Sequence, residues 1–446
     1  MKILSLAAGA GGMYCGSCLR DNALAAEFVA RGHDVTLVPL YTPLLTDETN
    51  VTRPEVLFGG INVYLQQYSA IFRKAPKFLD RLLDRPGVIR TFADRSVSTD
   101  PKLLGDLTIS MLEGRDGVLK KEFEKLLDWV RAEPAPDIVN LPNSLLIALA
   151  RPLREALGRP ICCTLSGEEL FLGNLLEPYR SKALALIRKQ AAEEVARFIA
   201  VSEYGARFMA DYLGVASERI TVVPLGVNVD EFAGRTRSAA ADPFRIGYLA
   251  RVAPEKGLHV LADAFARFRR REPSANARLD VAGYLAAGDK PYLAKVQNQL
   301  ARAGLSADFA YHGVVDRAGK IAFLQGLDVL SVPATYDEPK GLFLLEALAS
   351  GAAVVQPRRG AFTEVVEKTG GGLLVTPDDP DALAEGLASL WRDRALTARL
   401  GQQGQAGVRA HYTIQQSADR LVAIYNDVIG GQRQTASISS ARAAAH

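Results

Sequence analysis

The sequence predicts an α/β protein of two doubly wound parallel-sheet domains in tandem. Three observations carry that expectation. The chain opens as strand, helix, strand, the start of a doubly wound sheet. The same rhythm resumes at Asp137 after an irregular stretch. A second strand–helix series opens at Phe244, beyond the Ala/Ser/Arg-rich run Gly234 to Asp242, which lacks apolar periodicity and reads as a linker.

The elements follow in order. Ile3 to Ala8 is an apolar strand, Leu19 to Arg31 a helix stopped by Gly32, and Asp34 to Leu40 the next strand. Gly9, Gly11 and Gly12 lie between the first strand and its helix, where backbone amides can approach a ligand. Gly59 to Tyr68 reads as a strand pair. A helical insertion then covers about 69–133. Its apolar Phe72, Phe78, Leu79, Leu82 and Leu83 are interleaved with Arg73, Lys74, Lys77, Arg81 and Arg85. It is either a solvated helical face or a lobe turned to an acceptor or a membrane. Strands follow at Asp137 to Asn140, Arg159 to Leu165, Phe198 to Val201 and Ile220 to Val223. Helices intervene at Leu145 to Leu157, Lys182 to Ala196 and Glu203 to Tyr212.

The second series has strands at Phe244 to Leu249, Ala277 to Ala282, Phe309 to His312, Val329 to Val332, Ala353 to Gln356 and Gly372 to Val375. Its helices are Leu258 to Arg271, Tyr292 to Ala303, Lys320 to Gln325, Leu342 to Ala349 and Asp381 to Trp391, with Ile414 to Ile429 as a last helix. The expected domains are 1–233 and 243–412, then a helix over 413–430 and a disordered polar tail over 431–446. Ligands in such sheets sit at the carboxyl ends of strands, which points to a cleft between the domains.

Composition narrows the classes. Of 446 residues, 48% are hydrophobic and 23% charged, which excludes a disordered or fibrous chain. Fifty-three basic against 50 acidic residues leave a net charge of +3, which argues against nucleic acid as a partner. No run approaches the roughly 18 apolar residues of a membrane span. The amino-terminal apolar run ends in glycines and reads as a strand rather than a signal peptide, so a cytoplasmic protein is expected, with peripheral contact to the membrane's inner face open. Four cysteines, Cys15, Cys18, Cys162 and Cys163, are too few for a disulfide scaffold. The Cys15-Gly-Ser-Cys18 spacing fits a redox or half-metal motif, and equally a pair of loop thiols.

Two stretches carry the chemistry. Glu338-Pro-Lys-Gly341-Leu-Phe-Leu-Leu-Glu346 follows a strand and opens a helix. The amides of Gly341, Leu342 and Phe343 would face an anion from a helix N-terminus, as a diphosphate is. Glu346, about a turn further in, suits vicinal hydroxyls such as a ribose's, and Glu338 can accept from sugar hydroxyls. The second stretch, Gly247-Tyr-Leu-Ala-Arg251-Val-Ala-Pro-Glu-Lys256-Gly257, brackets a strand-to-helix turn with two cations. An Arg fork and a Lys point charge on a diphosphate stabilise the charge that develops as its bond to a sugar breaks. Gly9 to Gly16 fails the dinucleotide fingerprint, because Tyr14 stands where the third glycine belongs, and no Walker sequence is present.

These two stretches, with Pro224-Leu-Gly-Val-Asn-Val-Asp230-x-Phe232, resemble the retaining glycosyltransferases of the GT-B fold, and within them family 4, the sucrose synthase and glycosyl-lipid mannosyltransferase relatives. The resemblance implies two Rossmann-like domains facing across a cleft, with the C-terminal helix crossing back to the first. It implies transfer of a sugar from a nucleotide-diphosphate sugar, UDP- or GDP-linked, to an acceptor hydroxyl, with retention and with no metal or other cofactor. It further implies that Arg251 and Lys256 hold the diphosphate, that Glu338 binds the sugar and Glu346 the ribose, and that Gly12 lies near the donor phosphates. Glu364 matches a further family position, and His312-Gly-Val-Val315 resembles the base-side loop.

The chain departs from the family where a His commonly follows the strands ending at Asn140 and Leu165. Asn140 and Ser166 stand there. Ser166 hydrogen-bonds but is no base at neutral pH. Glu168 or Glu169 would substitute, and together with Tyr14 they mark the acceptor side. The departure keeps two alternatives open: a GT-B protein that binds a sugar nucleotide or a partner without turnover, and an epimerase or phosphorylase on the same scaffold.

Overall fold

β1 (Lys2–Ala7) pairs in parallel with β2 (Asp34–Pro39) on one side and with β3 (Ile138–Leu141) on the other, so that Ile3 is opposite Val35 and Ile138. The structure is a computed structural model that describes residues 1–9, 13–58, 63, 66–67, 104–234 and 241–444. The first sheet continues through β4 (Ile161–Leu165), β5 (Arg197–Ala200) and β6 (Ile220–Val222) in the order β2-β1-β3-β4-β5-β6, and every pair is parallel. Every residue of β3 and β4 is buried, as in strands covered by helices on both faces. The sheet reverses its winding between β1 and β3.

The second sheet has the order β12-β11-β10-β7-β8-β9, again all parallel. Its strands are β7 (Phe244–Leu249), β8 (Ala277–Ala282), β9 (Phe309–Tyr311), β10 (Val329–Leu330), β11 (Ala353–Pro357) and β12 (Gly372–Val375). Here winding reverses between β7 and β10, where Ile246 is opposite Val329. The chain forms two compact units, one of Met1–Pro224 with Ser417–His446 and one of Leu225–Gln416.

The division falls ahead of the boundary expected from the sequence. Residues from Leu225 belong with the second unit, ahead of the apolar-poor run. Val227 makes a parallel bridge with Thr413, and Phe232 is buried with the Arg317 guanidinium 4.8 Å over its ring. Residues 235–240 of the linker lie outside the described residues.

Of the strand pair expected at Gly59 to Tyr68, only residues 63, 66 and 67 are described, and they do not form strand. Val63, Gln66 and Gln67 are helical, and Val63 and Gln66, three apart, are both buried. Gln66 donates to the buried Glu122 at 2.5 Å, so packing on the helix Lys120–Ala132 overrides an alternating local pattern. Of the expected insertion, 69–103, with its basic residues, lies outside the described residues. Its remainder includes the helices Gly105–Glu113 and Lys120–Ala132, whose Phe123 meets Phe58 edge-on at 5.4 Å in the core.

Two helices of ten or more residues escape the sequence reading, Gly360–Thr369 and Arg394–His411. The second holds three glycines in seven residues, a loop-like composition. Gly401 shows their use: a Cβ there would lie 2.2 Å from the Gly351 carbonyl oxygen, so its absence lets the helix lie against the turn before β11. The closing helix runs Ile414–Ala444, past the expected end at 430 and over the stretch expected to be disordered. The Ala-rich composition there favours helix over coil. From Ser417 it belongs to the first unit, where Tyr425 is buried against Phe28 at 6.3 Å and Asp427 pairs with Arg197 at 3.1 Å. Among the described residues no helix is long and apolar enough to cross a membrane.

Candidate active site

The carboxyl ends of β7 and β10, where the second sheet reverses, are where a doubly wound sheet presents a ligand. β7 leads through Arg251 and the short turn Pro254–Lys256 into the helix Leu258–Arg271. Gly257 joins them at φ +75°, and a Cβ there would lie 1.8 Å from the Pro333 carbonyl oxygen. Only glycine lets this loop rest on the loop leaving β10. The Thr335 amide fastens the two by donating to the Glu255 carbonyl at 2.9 Å.

This junction brings together residues far apart in sequence. Lys256 Nζ donates to Glu338 Oε2 at 2.5 Å and also to Tyr336 Oη, and the tyrosine hydroxyl donates to the same carboxylate oxygen. The ammonium also lies 4.9 Å from the Tyr336 ring centre. Glu338 is only 2% exposed. Burial by itself favours its neutral form. The charges of Lys256 and Lys340 and the hydrogen bonds from Lys256 and Tyr336 outweigh that and hold its pKa down at about 2. Burial, then the Glu338 charge, pushes the Tyr336 hydroxyl well up, so it stays a donor. Arg251 pairs with Glu255, four residues on in the loop leaving β7, and Tyr248 Oη donates to the Arg251 carbonyl at 3.0 Å.

The helix Leu342–Ala349 starts after Gly341, and no side chain caps it. Its N-terminus therefore offers the partial positive charge of uncapped amides at Leu342 and Phe343. Phe343 packs edge-on against Phe362 at 5.8 Å, and Ala361 N donates to the Glu338 carbonyl at 2.8 Å. These contacts seat the loop against the helix Gly360–Thr369, whose first turns carry the half-buried Glu364. Glu346 is buried and pairs with Lys320 Nζ at 2.5 Å. Lys320 rides on the helix Arg317–Gln325, which the Asp316 side chain caps by accepting from Gly319 N at 2.8 Å, and Val315 is half-buried just ahead.

Sequence reasoning missed Tyr336 and Lys320. Tyr336 sits two residues from Glu338, a proximity that was available as a signal. Lys320 had none, because its partner is 26 positions away on another helix.

In the first unit, Gly12 lies outside the described residues and Tyr14 is half-buried. Ser166 and Glu168 do come together. Glu168 accepts from Ser166 N at 2.7 Å through one oxygen and from Ser144 N at 2.9 Å through the other. Its carboxylate clasps the loops after β3 and β4. The Ser166 hydroxyl donates to the Pro142 carbonyl at 3.3 Å and lies 3.4 Å from Ser17 Oγ. Thr164 donates to Asn140 Oδ1 at 3.2 Å. Glu169, half-buried, opens the short helix Glu169–Gly173. Cys162 and Cys163 are buried free thiols. Among the described residues no group of three or more His, Cys, Asp or Glu is placed to hold a metal ion.

The chain matches two family models, Glycosyltransferase Family 4 over residues 112–231 and Glycosyl transferases group 1 over residues 232–407. It is 34% identical over 245 residues to a phosphatidyl-myo-inositol mannosyltransferase of Mycobacterium tuberculosis, covering 53% of this chain and 61% of that one. The chain thus spans about three fifths of the length of that curated relative. Its fold is similar to that of a sucrose-phosphate synthase from Thermosynechococcus elongatus, at 18% identity, a TM-score of 0.71 and coverage of 96% of this chain and 99% of the other. It is likewise similar to Anabaena HepE in complex with UDP and glucose, at 18% identity, a TM-score of 0.67 and coverage of 96% and 100%.

Proposed function

Because the chain belongs to the GT-B glycosyltransferases, we propose that it moves a sugar from a nucleotide-diphosphate sugar to an acceptor hydroxyl, with retention of anomeric configuration and without a metal. The observation that carries this reading is the Lys256–Glu338 pair at the carboxyl ends of β7 and β10.

Both cations of the loop leaving β7 already have a carboxylate partner, Lys256 with Glu338 and Arg251 with Glu255. A donor diphosphate competes for both cations. As it takes Lys256, Glu338 turns to the sugar hydroxyls, ionised and therefore able to accept from them. The uncapped amides of Leu342 and Phe343 face the same anion. Glu346 exchanges part of its contact with Lys320 for the ribose hydroxyls. Val315 and Glu364 complete the donor side in this reading; in the first unit Tyr14, Ser166 and Glu169 are the acceptor-side candidates, with Glu168 as the clasp of the loops after β3 and β4.

The chemical step then asks little acid–base work of the protein. The sugar–phosphate bond breaks toward the diphosphate while the acceptor hydroxyl attacks the same face. The leaving phosphate oxygen takes the acceptor's proton. Lys256 and Arg251 stabilise the charge that grows on the leaving group, and positioning supplies much of the rest.

The test is release of nucleoside diphosphate from UDP- and GDP-sugars against a panel of hydroxyl acceptors, in the presence of a chelator, with the product's anomeric configuration read by NMR. Acceptor-dependent release with a retained product is the expected result. Release independent of acceptor, or an inverted product, overturns the mechanism. A second reading, donor binding without turnover, is favoured by one observation: the Ser166 hydroxyl, standing where the family commonly has a His, is already committed to Pro142. Tight donor binding with no release across the panel selects it.

A further inference from the structure

The proposed chemistry makes no use of the Cys15-Gly-Ser-Cys18 stretch. Cys15 ends the loop leaving β1 and N-caps the helix Gly16–Ala30 from an extended conformation, φ −118° and ψ 125°. The first turn closes with Leu19 N donating to the Cys15 carbonyl at 2.9 Å. Residues three apart around such a turn share a face, so Cys15 and Cys18 lie on the same side of the first turn. The pair is unequal. Cys15 is half-buried, whereas Cys18 is 3% exposed.

We infer that Cys15 and Cys18 form a reversible redox site, a dithiol that exchanges with a low-molecular-weight disulfide such as that of glutathione. Cys15 is the accessible member, at a helix N-terminus, a setting that favours thiolate over thiol. Its sulfur attacks one sulfur of the small disulfide. The S–S bond breaks, one thiolate leaves, and a mixed disulfide remains on Cys15. Cys18 then gives up its proton to solvent and attacks the Cys15 sulfur, expelling the second thiolate. The protein loses two electrons and two protons, and the small disulfide becomes two thiols. The neighbouring Cys15 side chain, and then burial, push the Cys18 thiol far up, so it holds its proton until the mixed disulfide forms.

A metal fits the pair less well. Two thiols are half of a zinc site, and no third or fourth ligand joins them among the described residues. Cys162 and Cys163 do not compete as partners. They are adjacent on β4, buried, and their side chains leave opposite faces of the strand.

The test uses the full chain, incubated with glutathione disulfide or with dithiothreitol, quenched in acid, alkylated after denaturation and mapped by mass. The expected result is a peptide spanning Cys15 and Cys18 that has lost two hydrogens, resists alkylation and is restored by dithiothreitol, with Cys162 and Cys163 alkylated equally in both samples. Cys18→Ala is expected to trap a glutathione adduct on Cys15, and Cys15→Ala to leave Cys18 unmodified. If Cys18→Ala does not fold, the wild-type map decides alone. Full alkylation of both residues at every ratio, a wild-type map that stops at the glutathione adduct, or a disulfide to Cys162 or Cys163 each overturns the inference.

Discussion

Lys256 and Glu338 stand 82 positions apart and meet Nζ to Oε2 at 2.5 Å, where the loops leaving β7 and β10 cross. The contact neutralises a buried carboxylate and a partly buried ammonium at once. Removing one partner leaves the other charged and without that compensation, which is costly in a low-dielectric setting. The same two groups are those the donor would separate.

Replacing Lys256 by Ala removes a charge that a leaving diphosphate needs. On the scale of single electrostatic contacts to a transition state, activity falls by about 10²–10³-fold. Glu346→Ala is expected to lose transfer by a similar order through the ribose contact. Steady-state kinetics beside a circular-dichroism melt check both. Near-wild-type turnover in both variants defeats the assignment of the donor site.

Much of this arrangement was legible in the sequence, and the limits are instructive. The helices Leu258–Arg271 and Leu342–Ala349 form with the bounds that periodicity and flanking glycines predict. Both begin at a glycine in the left-handed region, a strong local stop and start signal. Arg394–His411 was hidden because its glycines serve packing rather than turning, a distinction that depends on what lies opposite. The division at Pro224 was hidden because Val227 pairs with Thr413, a contact across almost the whole second unit. The Lys320–Glu346 pair was hidden for the same reason. Sequence marks each carboxylate; which cation meets it is a property of the sheet order.

Glu338 couples stability to pH with a definite sign. Its folded-state pKa lies below its ordinary value of 4.5, at about 2. The pair's contribution to stability is therefore complete above 4.5 and is lost as pH falls toward about 2. Melting temperature recorded across that acid window should fall more steeply for the wild type than for Glu338→Gln. Parallel curves would show that the pair contributes nothing to acid sensitivity.

Tyr336→Phe keeps the ring against Lys256 and deletes only the hydroxyl shared with Glu338. A hydrogen bond to a charged group contributes about 1.5–3 kcal/mol. If half of that is felt at the transition state, kcat/KM drops by about 4- to 13-fold with the fold intact. The acid limb of the pH profile moves upward as well, because Glu338 loses a donor that holds its pKa down. An unchanged acid limb would remove Tyr336 from the positioning of Glu338.

Gly257→Ala tests the crossing itself. The added methyl carbon would sit 1.8 Å from the Pro333 carbonyl oxygen at a φ of +75°, so either the main chain or the neighbouring loop must move. Strain of this kind places the variant in the tail of mutational effects, above about 3 kcal/mol. Urea unfolding should register the loss, and donor binding should weaken with it because Lys256 and Glu338 lose their register. A midpoint close to that of the wild type would mean that the loops are not held by this contact.

Glu168 separates a structural carboxylate from a catalytic one. Both of its oxygens accept main-chain amides, Ser144 N at 2.9 Å and Ser166 N at 2.7 Å, and the side chain is buried. Each oxygen is held by one main-chain amide, which fits a carboxylate that positions the loops after β3 and β4. Glu168→Gln turns one acceptor into a donor that faces an amide, which leaves a buried N–H unsatisfied at about 1–3 kcal/mol. The expected outcome is a lowered melting temperature, while turnover measured well below that temperature keeps its pH profile and most of its rate. The opposite pattern, an unchanged melt with kcat lost, would return Glu168 to the chemistry, since only a group that handles the reacting proton can stop turnover without loosening the loops after β3 and β4.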